Sequence, residues 1–189
     1  MPIETLLPDA ATTANPAWSG AIHTLLSEQG SGTTNCAGTN TGEAFTVSFG
    51  NLTSDVHSIN SVRWYVAGQV GLIRGFSAVC QFDLQNASDS SYGYAETKTF
   101  DDTTFSTLQA GTERTTSDGS TAWTESLVNG LRINVRFDSI QNTSCNITLD
   151  FLKIDVNYTG APLATYNSRR NNVHIASGNI SISSGNIFI

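Results

Sequence analysis

Three histidines, three cysteines and one adjacent pair of acids are the side chains in this sequence with the most chemistry to offer. His23, His57 and His174 lie far apart, and a metal or catalytic centre would need them to meet in space. They are read as ordinary surface or loop residues. Asp101-Asp102 stands in a Thr-rich stretch. Glycoside hydrolysis would need two carboxylates about 5–10 Å apart across a sugar, and neighbouring residues point in divergent directions. Oxygen ligands at the spacing of a calcium loop are also missing, so the pair is read as a solvated loop. Cys36, Cys80 and Cys145 are odd in number and lack a CxxC spacing, against both a zinc site and a disulfide framework. Cys80 falls in an alternating run and reads as a small buried hydrophobe; a Cys36–Cys145 bridge stays open. The sequence has no G-x-S-x-G elbow, H-E-x-x-H pair, Walker A loop or G-x-G-x-x-G turn. The expectation is a protein that is not an enzyme, with no metal and no cofactor.

The elements that would position these residues are mostly strands. Phe45, Val47 and Phe49 alternate with Ala44, Thr46 and Ser48, and Val62, Trp64 and Val66 alternate with Ser61, Arg63 and Tyr65. Cys80, Phe82 and Leu84 repeat the pattern, and Leu131, Ile133, Val135 and Phe137 give its cleanest run. A period of two with one apolar side predicts antiparallel strands with one face on a core and one in water. Ile147, Leu149 and Phe151 occupy odd positions but Leu152, Ile154, Val156 and Tyr158 even ones. A one-residue slip turns side chains to the wrong face, so a β-bulge is predicted at Phe151-Leu152, or else a corner where the strand changes sheet. Asn15-Pro16 followed by Trp18, Ala21 or Ile22, and Leu25-Leu26 predicts one short helix. Gly30 to Gly42 reads as a loop, and no strong helix is expected after residue 28. Trp64 reads as core; Trp18 and Trp123 read as lids over the sandwich ends, with an exposed glycan-stacking platform as the alternative.

Charged residues make up only 13% of the chain against 39% apolar ones, a charge share about half that of typical soluble proteins. Ser, Thr, Asn and Gly take their place, which suits an all-β protein with uncharged polar faces and many turns. The net charge of −7, with Lys98 and Lys153 as the only lysines, excludes the basic stripe of a nucleic-acid-binding surface. No run approaches 18 apolar residues and Met1-Pro-Ile-Glu-Thr5 lacks a basic start, so neither a membrane span nor a signal peptide is expected.

Five stretches together carry a family resemblance. They are Trp18-Ser-Gly-Ala21, Ala44-Phe-Thr-Val-Ser-Phe49, Ile59-Asn-Ser-Val-Arg-Trp-Tyr-Val66, Trp123-Thr-Glu-Ser-Leu-Val-Asn-Gly-Leu131 and Ile147-Thr-Leu-Asp-Phe-Leu-Lys-Ile-Asp-Val-Asn-Tyr158. Their order over roughly residues 15–160 resembles that of jelly-roll structural proteins of tailed bacteriophages, among them capsid decoration (cement) proteins and parts of tail fibres. The resemblance implies a jelly-roll β-sandwich on the virion, at the capsid surface, bound to the major capsid protein and to its own copies, with a homotrimer suiting local threefold positions. It implies no catalytic residues. A tail-fibre receptor- or glycan-binding module is the alternative it leaves.

The resemblance does not reach residues 161–189, which are read on their own. They hold a doubled phrase, Ala176-Ser-Gly-Asn-Ile-Ser-Ile182 and Ser183-Ser-Gly-Asn-Ile-Phe-Ile189. Each offers a three-residue strand too short to stand alone, and a short strand is stabilised when it is added to the edge of another sheet. The expected organisation is an N-terminal arm (1–15), a jelly-roll sandwich (16–160) and a C-terminal arm (161–189). Inter-subunit contacts are expected from Leu6 and Leu7 in the first arm, and from Arg169, Arg170, Ile180, Ile182, Ile187, Phe188 and Ile189 in the second. Docking of the C-terminal strands on the same chain is the alternative.

Overall fold

Each alternating run becomes a strand because one row of its side chains is apolar enough to leave water while the backbone pairs sideways. The computed structural model describes residues 2–13, 15–27, 33–71, 75–101 and 107–160. Among these, ten strands form two antiparallel sheets of five. Sheet A contains β1 (Ile3–Leu6), β3 (Thr34–Ala37), β5 (Val56–Gly71), β8 (Gln109–Ala110) and β10 (Asn146–Gly160). Sheet B contains β2 (Pro8–Thr13), β4 (Ala44–Phe49), β6 (Ala78–Gln85), β7 (Glu96–Phe100) and β9 (Arg132–Ile140). The chain is an all-β antiparallel sandwich. In space sheet A runs β1/β3-β10-β5-β8, and sheet B runs β2-β4-β9-β6-β7.

The two sheets share one core. Trp64 of β5 stacks on Phe82 of β6 with ring centroids 4.8 Å apart, and Phe82 meets Phe100 edge-on. Nearer β4, Trp18 packs edge-on against Phe45 at 4.8 Å. Alternation on β9 is regular from Arg132 to Phe137, with Ile133, Val135 and Phe137 buried and Arg132, Asn134 and Arg136 facing outward. A short helix, α1 (Ile22–Leu26), buries Ile22 and Leu26 and packs against β2, β3 and β10, closing the gap between the sheets on that side.

The phase break in β10 is a bulge, and it lies at Asp150, one residue before the predicted dipeptide. Leu149 is opposite Gly68 and Phe151 opposite Ala67, which leaves Asp150 as the extra residue. Leu149 and Leu152 therefore both face the core although they differ in parity. A second bulge, at Asn60, lets Ile59 and Val62 both be buried on β5.

Four expectations need correction. Residues 3–13 are not an arm: β1 pairs with β10 and β2 with β4, so the sandwich begins at Ile3. Within the Gly30–Gly42 stretch, β3 pairs with β10 and places Thr34 and Cys36 in the core, and a 3₁₀ turn follows at Gly38–Asn40. Trp18 precedes the helix rather than lying on it, and bridges to Cys36. A second helix, α2 (Glu125–Asn129), precedes β9; Thr124 caps it by accepting the Leu127 N–H at 3.3 Å, and Val128 is its buried anchor. The cysteines are all free and buried. Burial, helped by the charge of Glu43, pushes the Cys36 thiol up to about 11.

Candidate functional site

Three surface features are built by this framework. The first is on the outer face of sheet A. Alternation turns Ser61, Arg63 and Tyr65 of β5 outward, opposite Asn157, Asp155 and Lys153 of β10, with Ile3 and Thr5 of β1 next in line. Ser61, Arg63, Tyr65, Glu113, Asp155 and Asn157 line a shallow cleft of about 120 Å³, with Ile3 as its apolar rim. Its polar groups are bonded within the fold, and Lys153 pairs with Asp155. Asp155 accepts from Thr5 Oγ1 at 2.7 Å and Lys153 Nζ at 2.9 Å, Glu113 accepts from Ser61, and Arg63 Nε donates to the Gly111 carbonyl at 2.8 Å. Lys153 and Arg63 also lie 4.6 and 5.5 Å from the Tyr65 ring centre. The lining holds neither histidine nor cysteine, and Ser61 with Glu113 is its hydroxyl–carboxylate pair.

The second feature seals the side of the sandwich where β7 and β8 end the two sheets. Glu96 of β7 accepts from Arg114 at 2.7 Å and from the Thr112 N–H at 3.0 Å, with Lys98 3.7 Å away. Burial works against the Glu96 carboxylate, but the bonds from Thr112 and Arg114 and the charge of Lys98 outweigh it and hold its pKa below the ordinary value. Arg114 lies 4.1 Å from the Tyr94 ring centre, and Lys98 5.2 Å from that of Trp64. Beneath this seam the backbone of Gly111 donates to the Trp64 carbonyl at 2.9 Å, and Arg114 exchanges two 2.9 Å bonds with Val62. The seam is a latch over the core.

The third feature is a pocket of about 260 Å³ at the end of the sandwich. Val56, Ile59 and Trp123 supply apolar lining, and His57, Ser58, Thr124 and Glu125 complete it. Trp123 is held rigidly, its Nε1 donating to the Arg114 carbonyl at 2.9 Å and its face meeting the edge of Tyr92 at 5.5 Å.

The residues singled out from sequence are not brought together. Leu6 is buried in the chain's own core at 3% exposure, which withdraws it from contact with a neighbour; Leu7 is half-exposed, and its carbonyl accepts from Gly50. Arg169, Arg170, Ile180, Ile182, Ile187, Phe188 and Ile189 lie outside the described residues, as do His174 and Asp102. His57 is exposed at the pocket rim, and the Asp101 carbonyl accepts from Val70 at 3.0 Å. All three tryptophans are buried at 3% exposure or less, so none of them is a stacking platform. Among the described residues no three His, Cys, Asp or Glu side chains gather as metal ligands, and no helix is long and apolar enough to cross a membrane. The end pocket was missed from sequence because its walls come from residues 56–59 and 123–125, which only the fold joins.

Comparison with known protein families, with curated proteins and with solved structures found no match.

Proposed function

We propose that this chain is a structural virion protein that decorates and cements the capsid of a tailed bacteriophage, binding the major capsid protein and its own copies as a homo-oligomer. The observation that carries the reading is strand order. From β3 onward, the chain pairs as one long hairpin wrapped into two sheets: β3 with β10, β4 with β9, β5 with β8 and β6 with β7. One sheet then reads β3-β10-β5-β8 and the other β4-β9-β6-β7, the arrangement expected of a jelly roll, an architecture recurrent in capsid and lectin domains. Fold alone does not dictate function. Two further points favour a scaffold: the core is sealed on the sides described above, and the polar groups of the outer cleft are already bonded within the fold. A homotrimer at local threefold positions fits the family resemblance.

The tail-fibre alternative asks for exposed aromatic rings on which a sugar can stack, and the burial of Trp18, Trp64 and Trp123 weighs against it. The test is electron microscopy of particles of the phage that encodes the protein, assembled with and without it. Added density at regular positions on the head supports the proposal. Density confined to the tail, with the head unchanged, would replace it with the fibre reading.

A further inference from the structure

The end pocket lies where one side of β5 has no strand partner among the described residues. One side of β5 is occupied by β10 along its whole length, with Gly160 opposite Val56. The other side pairs with β8 at Tyr65 and Val66, and with Arg114 at Val62. From residue 56 to 59 no strand pairs on that side among the described residues, and these four residues are also lining residues of the pocket. A sheet edge with no strand partner among the described residues, beside a pocket walled in part by Val56, Ile59 and Trp123, is the kind of receptor that β-augmentation requires. Main-chain bonds supply affinity, and a pocket that takes every second side chain supplies specificity.

We infer that this edge and pocket receive the Ile187-Phe-Ile189 strand of a second copy of the chain, with Phe188 seated in the pocket; the inference rests on the reading that copies assemble. Three observations choose the occupant. Laid down as a strand, the phrase would turn Phe188 to one side and Ile187 and Ile189 to the other. It is also the one of the two Ser-Gly-Asn-Ile phrases that carries an aromatic ring. A pocket of about 260 Å³ has room for such a ring, since an apolar cavity of about 150 Å³ already binds benzene. The cleft on sheet A, at about 120 Å³, is less than half the size of the end pocket and has three charged side chains in its lining, Arg63, Glu113 and Asp155, against Glu125 in the end pocket.

Length argues for a neighbour over the same chain. The described part of the chain ends at Gly160, opposite a wall of the pocket, and Ile187 is 27 residues further on. Fully extended, that segment spans about 90 Å, whereas β5, the longest strand at 16 residues, spans about 53 Å. Returning to its own point of exit would require the segment to double back completely. Reaching the same pocket on a sister copy uses the length, and repeating the exchange around a closed ring makes each contact raise the effective concentration of the next.

A mixing experiment tests this. Copies carrying His57→Cys at the pocket rim are mixed with copies carrying Ile189→Cys and treated with a short bis-maleimide, both free in solution and on phage particles. The native cysteines are buried and stay silent. The expected product is a cross-linked pair that forms only when both variants are present, and its yield falls about tenfold or more when the tail copy also carries Phe188→Ala. A control with Ser144→Cys, an exposed position at the other end of β10, should give no such pair. Absence of the mixed pair, or an equal yield from the Ser144→Cys control, overturns the inference. So does a cross-link confined to single chains in the double variant His57→Cys/Ile189→Cys. Binding of the uncross-linked protein to heads is scored separately: heads decorated without the pair would sink this contact but leave the cement function standing, and the pair without decoration would do the reverse.

Discussion

At the scale of single residues, the molecule depends on tight closure over Trp64. A Cβ placed on Gly111 would fall 2.3 Å from the Trp64 ring, and that indole is pinned between Phe82 and the latch, so it has nowhere to move. Gly111→Ala is therefore expected to destabilise the fold by about 1–3 kcal/mol in denaturant unfolding, the usual cost of overpacking. The latch also contributes to the acid limit. The folded-state pKa of Glu96 is depressed, so its contribution is complete above the unfolded value and is lost as pH falls through the folded one. Stability should stay level from neutral pH down to about 5 and decline below the ordinary glutamate value of about 4.3. Glu4, whose bonds from Thr53 and Ser54 overcome the opposing effect of burial, and Asp118, held by the backbone N–H groups of Thr121 and Ser120, act in the same direction. In Glu96→Gln, the melting temperature should shift less between pH 7 and pH 3.5 than in the unmodified protein, as measured by calorimetry. An unchanged shift would mean that the acid limb arises elsewhere.

At the scale of elements, the N-terminal strands are the clearest departure from expectation. Residues 3–13, with Pro8 followed by a Thr/Ala run, read as an arm, yet they close the β10 edge of one sheet and the β4 edge of the other. Leu6→Ala should cost about 2–5 kcal/mol, a loss that an unattached arm would not show; equilibrium unfolding distinguishes the two. The strands that were legible in the sequence are those with one complete apolar row, such as β9, because alternation records which face is buried. The bulge in β10 was legible for the same reason, as a parity change. What was hidden depends on partners distant in the chain. β3 is four residues of a Gly/Thr/Asn stretch and gains its status from pairing with residues 146–149. The α2 helix had a local sign, Thr124 followed by Glu125, but the strand-like Leu131 run beside it masked five residues of helix. The end pocket had no local sign at all, since its two walls are more than sixty residues apart in sequence.

At the scale of the whole molecule, the ten described strands account for a closed core within residues 3–160, and residues 161–189 contribute none of them. A protein ending at Gly160 should keep the melting temperature of the full chain, while a protein lacking residues 2–13 should not. Under the cement proposal the shortened chain should also lose its grip on neighbours, because the segments that tie copies together are gone while the rigid knob remains. The most direct measurement is sedimentation of undecorated phage heads with saturating full-length protein or with the 1–160 protein, followed by electron microscopy of the pelleted particles. The expected result is co-sedimentation and ordered surface density with the full chain, and bare heads with the folded 1–160 protein. Equal decoration by both would show that residues 161–189 do not hold the protein on the shell, and decoration by neither would contradict the proposed function itself.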